Sequence, residues 1–544
     1  MANLIEIILF FLSSFLSLIT YKILGEFFLK EEKNNIFEKI IYGVIVASCF
    51  ALFLNFFIPL NKTFNTFFQI CVIFIFFLLN NKKINFSEIN KIFIISILII
   101  LLISYDTENR PDAYLYHLPY SQIIIENKII PGISILHSRF AHISIFQYLS
   151  SFNYTYFSGL DGLIIPSAGY CIVIFFYFLN DIKSLEHDKI SSGKLFSLII
   201  FIYICIKINR YSEFGNDAMA HLTVFFIISQ FFYLNIHKVS TYKNIYLLSG
   251  FAFLNKPFLI FTLIFPFYLF FKNNFKLKDG LFNLSTILIL FWLFKNILVS
   301  GCAIFPVEKT CIKKLPWTEI TQVKQHKVLG EAWAKAWPDR KKLDISKEKF
   351  IKDFNWLNAW KSKHLNVFYE NLVPFLIIIV VLNLYIRNSG LHNIQSVKEK
   401  NIVILIFSII STSFFMLKFP LFRFGYSFLI VLLSLIFLFS LKKANYQNFF
   451  KSVKYLSIFL LFILIAKQSI RIVKYYETRT LLPNDRFLNL NQQSQIKKIR
   501  IDDNFSYYFS KNECKYFRSP CTSSEIEKIQ HRKIFGYNVL AKKF

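Results

Sequence analysis

Between Tyr105 and His142 the chain gathers Asp106, Glu108, Arg110, Asp112, His117, Glu126, His137, Arg139 and His142, its densest set of ionisable groups beside an apolar stretch. The centre of this segment reads Arg110-Pro111-Asp112-Ala113-Tyr114-Leu115-Tyr116-His117-Leu118-Pro119. Carboxylates and imidazoles can pass protons, and guanidiniums can hold anions. An acid carried to one face of a bilayer is costly to keep there without a use, and so marks a site. Two more polar segments break apolar sequence: Arg210-Tyr211-Ser212-Glu213-Phe214-Gly215-Asn216-Asp217, followed by His221, and Lys418-Phe419-Pro420-Leu421-Phe422-Arg423-Phe424-Gly425. Glu213 and Asp217, four apart, can share a helix face and hold a metal or orient a substrate, or can cap the next helix N-terminus. Quieter roles exist for the others. Asp112 can pair with Arg110 or cap a helix, His117 and His137 can pack at an interface, and Arg423 can be a snorkelling anchor.

The elements that must position these groups are membrane spans. Of 544 residues 55% are hydrophobic, 68 are Phe, and the mean hydropathy is +0.47. Apolar runs of about 16 to 20 residues recur along the chain and match a hydrocarbon core of roughly 30 Å. They predict an all-α polytopic membrane protein with about 13 to 14 transmembrane helices, near 3–21, 40–59, 64–80, 90–105, 161–180, 195–209, 218–236, 244–255, 257–272, 281–299, 367–386, 401–417, 422–441 and 455–471. The first run has no small-residue cleavage site and reads as a retained helix. The formal charge of +29 does not point to nucleic acid, because Lys far outnumbers Arg and crowds the short loops between spans, with no folded basic module.

Lys-rich connections fall at 22–39, 81–91, 181–194, 237–243, 272–280, 387–400 and 442–454, and alternate so that all can be cytoplasmic together. The opposite face then receives 105–160, 210–217, 300–366, 418–421 and a tail from 472 to 544, leaving 1–471 as the transmembrane domain. Cysteine supplies an independent check. Cys49, Cys71, Cys171 and Cys205 lie within spans, whereas Cys302 with Cys311 and Cys514 with Cys521 form close pairs in segments that charge alone puts outside. Disulfides persist in oxidising compartments, so two bridges fit that face better than a zinc site, which would need both pairs to converge.

Asn255-Lys256-Pro257 interrupts one apolar stretch and predicts two short helices meeting near the outer face, with a lysine that needs water or an anion. Residues 141–158 are placed on the outer surface as an interfacial or re-entrant segment, since a full span there would invert every later loop. Loop 300–366 carries Trp317, Trp333, Trp337, Trp356 and Trp360, and the spacing of four within two pairs predicts an aromatic face for the membrane interface, with sugar stacking as the other use. The tail is long enough for a small lid.

Asp112-x-x-x-Tyr116-His117-Leu118-Pro119, Ile130-Pro131-Gly132, Leu136-His137-x-Arg139-Phe140, Ser212-Glu213-Phe214-Gly215-x-Asp217 and Arg423-Phe424-Gly425 resemble an uncharacterised family of bacterial multi-pass proteins often grouped with the GT-C membrane glycosyltransferases. The first of these looks like the first outer loop of the aminoarabinose transferases and protein mannosyltransferases: an acid just after a span, a surface helix, and a proline-marked exit. The resemblance covers roughly residues 90 to 430. In two respects the chain departs from that plan. The acid that commonly follows the first Asp is Ala113, which removes one metal ligand, and more spans precede the loop than in the better-known members.

The resemblance implies a GT-C-like bundle in the bacterial inner membrane with its active site facing the periplasm. It implies transfer of a sugar from a polyprenyl-phosphate donor to an envelope glycan, lipid or protein acceptor. Such transfer needs a carboxylate to take the acceptor's hydroxyl proton and cations for the departing phosphate. Asp112 is the expected base, with Asp106, Glu108 and His117 as further catalytic candidates. Tyr116, His137, Arg139, Arg210, Glu213, Asp217, Lys256 and Arg423 are the expected substrate-binding set. A divalent cation, Mg or Mn, is left open, with Asp112, Glu213 and Asp217 as its ligands. A transporter or flippase of lipid-linked oligosaccharide, or a polysaccharide polymerase or ligase, remains the alternative; gathering of charge at one face and the absence of repeated halves favour the enzyme.

Overall fold

The computed structural model describes residues 2–29, 35–79, 85–105, 112–183, 191–207, 214–215, 217–233, 238–276, 283–338, 345–387, 392–393, 398–440, 443–444, 446–474 and most of 496–542. Asp106, Glu108, Arg110, Arg210 and Glu213 lie outside these residues.

Each apolar stretch is helical. In chain order the helices are α1 (Ala2–Leu29), α2 (Ile36–Asn55), α3 (Lys62–Leu79), α4 (Phe86–Tyr105), α5 (Leu118–Glu126), α6 (Ile145–Phe152), α7 (Ile165–Lys183), α8 (Ser192–Lys207) and α9 (Asp217–Tyr233). They continue with α10 (Val239–Asn255), α11 (Ile264–Lys272), α12 (Leu284–Ser300), α13 (Ile320–Ala334), α14 (Lys347–Ile351), α15 (Leu357–Arg387), α16 (Lys398–Lys418), α17 (Phe422–Ser440) and α18 (Tyr446–Lys474). Among the described residues seven helices are both long and apolar enough to cross a membrane, and four shorter ones are apolar. The protein is thus a helical, multi-pass membrane protein by length and composition. α7, α8 and α9 form the centre, with Tyr170, Phe178, Phe196, Phe201, Phe225 and Phe226 fully buried, while α15 and α18 pack at the edge and expose apolar faces.

The connections sort to two ends, as the alternation of basic loops requires. At one end Lys22 and Lys39 bridge Glu26 and Glu88, Lys272 pairs with Glu399, and β1 (His392–Asn393) pairs with β2 (Lys443–Ala444). At the other end the chain turns around a buried layer. Leu60 N donates to Ile124 O, Asn65 to Ser151 O and Tyr154 O, and Gly132 N to Leu298 O.

That layer corrects two expectations. The stretch expected as a surface helix is α5, and all its residues but Glu126 are buried. Within 141–158 only the flanks, at His142 and Tyr156, are exposed: α6 has only eight residues, about 12 Å of helix, closed by a Ser144/Gln147 capping box and buried throughout. It is a buried turn held by Ser144 Oγ donating to Asn255 Oδ1 at 2.8 Å and by the fully buried Lys295 donating to Ile143 O. Apolar composition with a few amides suits an interface or a buried turn equally; contacts from distant helices decide.

The break at Asn255-Lys256-Pro257 is present. Pro257 lacks the N–H to extend α10, the chain becomes extended at Lys256, and a 3-10 stretch over Pro257–Leu263 leads into α11. The tail is β: β3 (Ile496–Arg500), β4 (Ser506–Ser510) and β5 (Cys521–Thr522) make one sheet, β6 (Gln530–Ile534) and β7 (Tyr537–Ala541) a hairpin. It docks on the buried layer through Leu540 N to Pro131 O, Thr522 Oγ1 to Leu136 O and Tyr537 Oη to Phe56 O. Gly132, at φ 79°, leaves no room for a Cβ against Leu540 O. Both expected disulfides, Cys302–Cys311 and Cys514–Cys521, are formed.

Candidate functional site

Asp112 opens a single π-helical turn, Ala113–His117, in which Leu118 N reaches back five residues to Ala113 O. Pro119 has no N–H for the normal bond, so the turn widens just before α5 begins. The Asp112 side chain caps nothing. Its Oδ1 accepts from Arg139 Nη1 at 2.5 Å, and its Oδ2 lies 3.7 Å from Arg423 Nη2. Arg139 is placed by a 3-10 turn, Ser138–His142, in which its own N–H donates to His137 Nδ1, and its guanidinium lies over the Tyr116 ring at 5.0 Å.

Arg423 comes from the start of α17. Its guanidinium lies over both Trp333 of α13 and its neighbour Phe424, at 5.2 and 5.1 Å. Its carbonyl accepts from His221 Nε2 of α9 at 3.1 Å, which leaves His221 Nδ1 to accept from Ser427 Oγ at 2.7 Å. Gly425 lets the Phe415 ring of α16 pass 2.3 Å from where a Cβ would sit, so α17 approaches closely enough to aim Arg423 inward. Asp217, in the first turn of α9, pairs with Lys256 Nζ at 2.8 Å, and that ammonium lies 4.4 Å from the Phe424 ring centre. Proline at 257 therefore frees Lys256 from a helix and turns it toward the same wall.

These groups line one cavity of about 1060 Å³, at the upper end of the range for ligand sites. Asp112, Tyr116, His117, Arg139, Asp217, Lys256 and Arg423 all face it. His137 does not; it fixes the Arg139 turn. His117 is buried and its Nδ1 accepts from Gln147 Nε2, because Gln147 Oε1 is taken by Ser144 N. Burial holds His117 down at about 4, with Arg139 and Arg423 adding to it against Asp112 and Asp217, so the ring is neutral and carries its proton on Nε2. Burial likewise lowers His142 to about 3 and His326 to about 4, and these two rings pack at 5.0 Å on the cavity wall.

Several site residues carried no usable sequence signal. Glu331 of α13 is buried between Lys335 at 2.7 Å and Lys418 at 3.4 Å, and only the 331/335 spacing was visible in advance. Trp333 lines the cavity, whereas Trp356 and Trp360 are 5% and 6% exposed and Trp360 Nε1 donates to Pro420 O, so those two are not membrane-surface anchors. No described tail residue lines the cavity, and residues 475–495 of the expected lid lie outside the described residues. Among the described residues no group of three His, Cys, Asp or Glu side chains is disposed to hold a metal. Asp112 and Asp217 are occupied by cations instead.

Val367 and Asn371 on α15 line the cavity together with Phe414 and Lys418 on α16, and Val367 and Phe414 are each 40% exposed. Lys327, Gly330 and Trp333 on α13 line it as well, and Lys327 and Trp333 are exposed.

A family model described as a domain of unknown function (DUF8201) matches residues 4–430. The chain belongs to this family. Every residue that lines the cavity, from Asp112 to Tyr426, falls within the matched region, and α18 and the β tail fall outside it. No curated protein and no solved structure matches the chain.

Proposed function

We propose that the protein is a membrane glycosyltransferase of GT-C type, taking a sugar from a polyprenyl-phosphate donor and passing it to an acceptor hydroxyl on the extracytoplasmic face. The observation that carries this reading is the convergence of Asp112, Arg139 and Arg423, from three separate elements, in a cavity whose lining reaches the surface at both apolar (Val367, Phe414) and basic (Lys327, Lys418) side chains. A lipid-borne phosphate needs that pair of surroundings. Its chain stays among helices while its charged headgroup meets guanidiniums, whose planar fork suits phosphate oxygens.

The chemistry follows from the ion pairs. Asp112 accepts from Arg139 and neighbours Arg423. A donor phosphate competes for both guanidiniums and frees a carboxylate oxygen at the reacting centre. Asp112 then takes the acceptor's hydroxyl proton as the acceptor oxygen bonds to the anomeric carbon. The bond from that carbon to the phosphate oxygen breaks, its electron pair leaving with the phosphate, where Arg139, Arg423 and Lys256 stabilise the charge. Neutral His117, with Nε2–H, is a hydrogen-bond donor to the sugar rather than a second base. The disulfides and the basic loops of the other end support the assignment of this end to the outside.

The test is transfer from a radiolabelled polyprenyl-phosphate hexose by the purified chain in lipid nanodiscs. Asp112→Asn is expected to lower transfer by about 10²- to 10⁴-fold, the usual worth of a general base, while donor binding persists. Undiminished turnover in a folded Asp112→Asn protein would falsify the base assignment.

A further inference from the structure

The cavity is lined by six cations, Arg139, Lys207, Lys256, Lys327, Lys418 and Arg423, but by three carboxylates, Asp112, Asp217 and Glu331. All three carboxylates are already engaged, Asp112 by the two arginines, Asp217 by Lys256, and Glu331 by Lys335 and Lys418. His117, His142 and His326 add no charge near neutral pH. Among the described residues Lys207 and Lys327 form no ion pair, Lys207 lying over the Phe422 ring with Glu370 the acid that acts on it, and Lys418 shares its only one with the closer Lys335. One donor phosphate at Arg139 and Arg423 leaves these three lysines without a bonded anion.

The surplus continues outward. Residues 300–366 contain fourteen Lys and Arg against seven Asp and Glu. Lys324 and Lys327 are exposed on α13, and Lys349, Lys352, Lys361 and Lys363 are exposed beyond it. Retention of basic residues on the cytoplasmic side accounts for the lysines at the other end of the bundle but not for these. Trp333, 39% exposed, lines the same cavity with Arg423 over its ring, so the indole is presented beside a fixed cation. An aromatic face beside fixed cations is the surface that an acidic sugar chain recognises, rings stacking while carboxylates or phosphates meet ammonium groups.

We propose that the acceptor is an acidic glycan, bound in the cavity by the lining lysines Lys207, Lys327 and Lys418 with Trp333 beside them. This rests on the proposed transferase reading for the word acceptor, but the binding surface is independent of transfer.

The experiment uses the full chain in phosphatidylcholine nanodiscs, with tetragalacturonate as the acidic probe and maltotetraose as the neutral one, followed by calorimetry. Tetragalacturonate is expected to bind at least about tenfold more tightly at low salt and to weaken as salt rises through the range where the Debye length falls below about 10 Å. Lys207→Gln with Lys327→Gln should remove about tenfold of that affinity, and Lys327→Glu alone should remove as much. Both side chains reach water, so unchanged thermal unfolding of the variants checks that the fold is intact. Equal binding of the two probes, or variants that bind as the parent does, overturns the proposal. Displacement of tetragalacturonate when phosphatidylglycerol is added to the nanodiscs overturns it as well, since the lysines would then be lipid-headgroup ligands. Asp112→Asn should bind tetragalacturonate as the parent does. Retained transfer in that variant with intact probe binding would sink the base assignment and leave this surface standing, whereas lost transfer with no probe binding would do the reverse.

Discussion

The Asp217–Lys256 pair joins the start of α9 to the break between α10 and α11, and replacing its members singly and together should give strongly non-additive costs. At 2.8 Å the gross attraction in an effective dielectric of about 20 is roughly 6 kcal/mol. Desolvation cancels most of it, because the side chains are 15% and 34% exposed and each ion has lost much of its hydration. The two single losses differ. Asp217→Asn strands an ammonium whose remaining neighbour is the Phe424 ring, at a cost of about 3 kcal/mol. Lys256→Met strands a carboxylate that still sits in the first turn of α9, where the helix dipole favours it, so about 2 kcal/mol is expected. With both changed no charge is stranded and Met packs on Phe424, so the double variant should lose only about 1 to 2 kcal/mol, a coupling of about 3 to 4 kcal/mol. Unfolding free energies of the four proteins in mixed micelles measure this. A double variant equal to the sum of the singles within about 0.5 kcal/mol would refute the claim that these charges hold each other in place.

His117 gives a pH dependence of stability. Its value falls from 6.5 unfolded to about 4 folded, so between those pH values the unfolded chain binds more protons, and stabilisation present above about 6.5 is lost as pH falls toward 4, on the order of 3 kcal/mol. The melting temperature should drop across that interval, and His117→Gln should flatten the drop. Arg423→Ala should weaken binding of a polyprenyl phosphate by about 10- to 100-fold, the worth of one charge-assisted contact, and an unchanged affinity would return Arg423 to a structural role. Maleimide added to intact cells should label neither Cys302 nor Cys311 until reductant is supplied; labelling without reductant would contradict the bridge, and labelling only after permeabilisation would contradict its side of the membrane.

The helices were legible because bilayer thickness sets a length that apolar runs must match: α1 to α4, α7 to α12 and α15 to α18 stand where those runs fall, and among the described residues seven of them are long and apolar enough to cross a membrane. α15 begins ten residues before its apolar run, at Leu357, and α18 nine before, at Tyr446, because a helix continues through polar residues that an apolar run does not count. The break at Lys256 was legible because proline acts locally. Tertiary burial was not. α5 and α6 carry the same mixture of isoleucine, tyrosine and amides that an interfacial helix would, and only contacts with Asn55, Asn65, Asn255 and Lys295 turn them into a buried layer. Likewise nothing in the sequence singled out Glu331, which is buried between Lys335 on its own helix and Lys418, 87 residues away. Within the site, Asp112, Arg139, Lys256 and Arg423 could be nominated from residue type and membrane context. His221 and Trp333, which fix Arg423 in position, could not, because their partners lie 202 and 90 residues away in sequence.

The arrangement of these partners constrains how any anion can bind. Arg139 is committed to Asp112 and Tyr116, Arg423 to Asp112, Trp333 and Phe424, and Lys256 to Asp217 and Phe424. None of the three is an idle charge, so an incoming phosphate must exchange for contacts already made. That exchange makes the gain in affinity smaller than three bare cations would give, since each new bond replaces an old one. It also couples occupancy to reactivity. Asp112 Oδ1 is held by Arg139, and becomes available to an acceptor hydroxyl only when a phosphate draws the guanidinium aside. On the proposed reading the donor therefore has to arrive first. A hydroxyl that reached the cavity alone would meet a carboxylate already hydrogen-bonded and no electrophile, which protects the site from abstracting protons to no purpose.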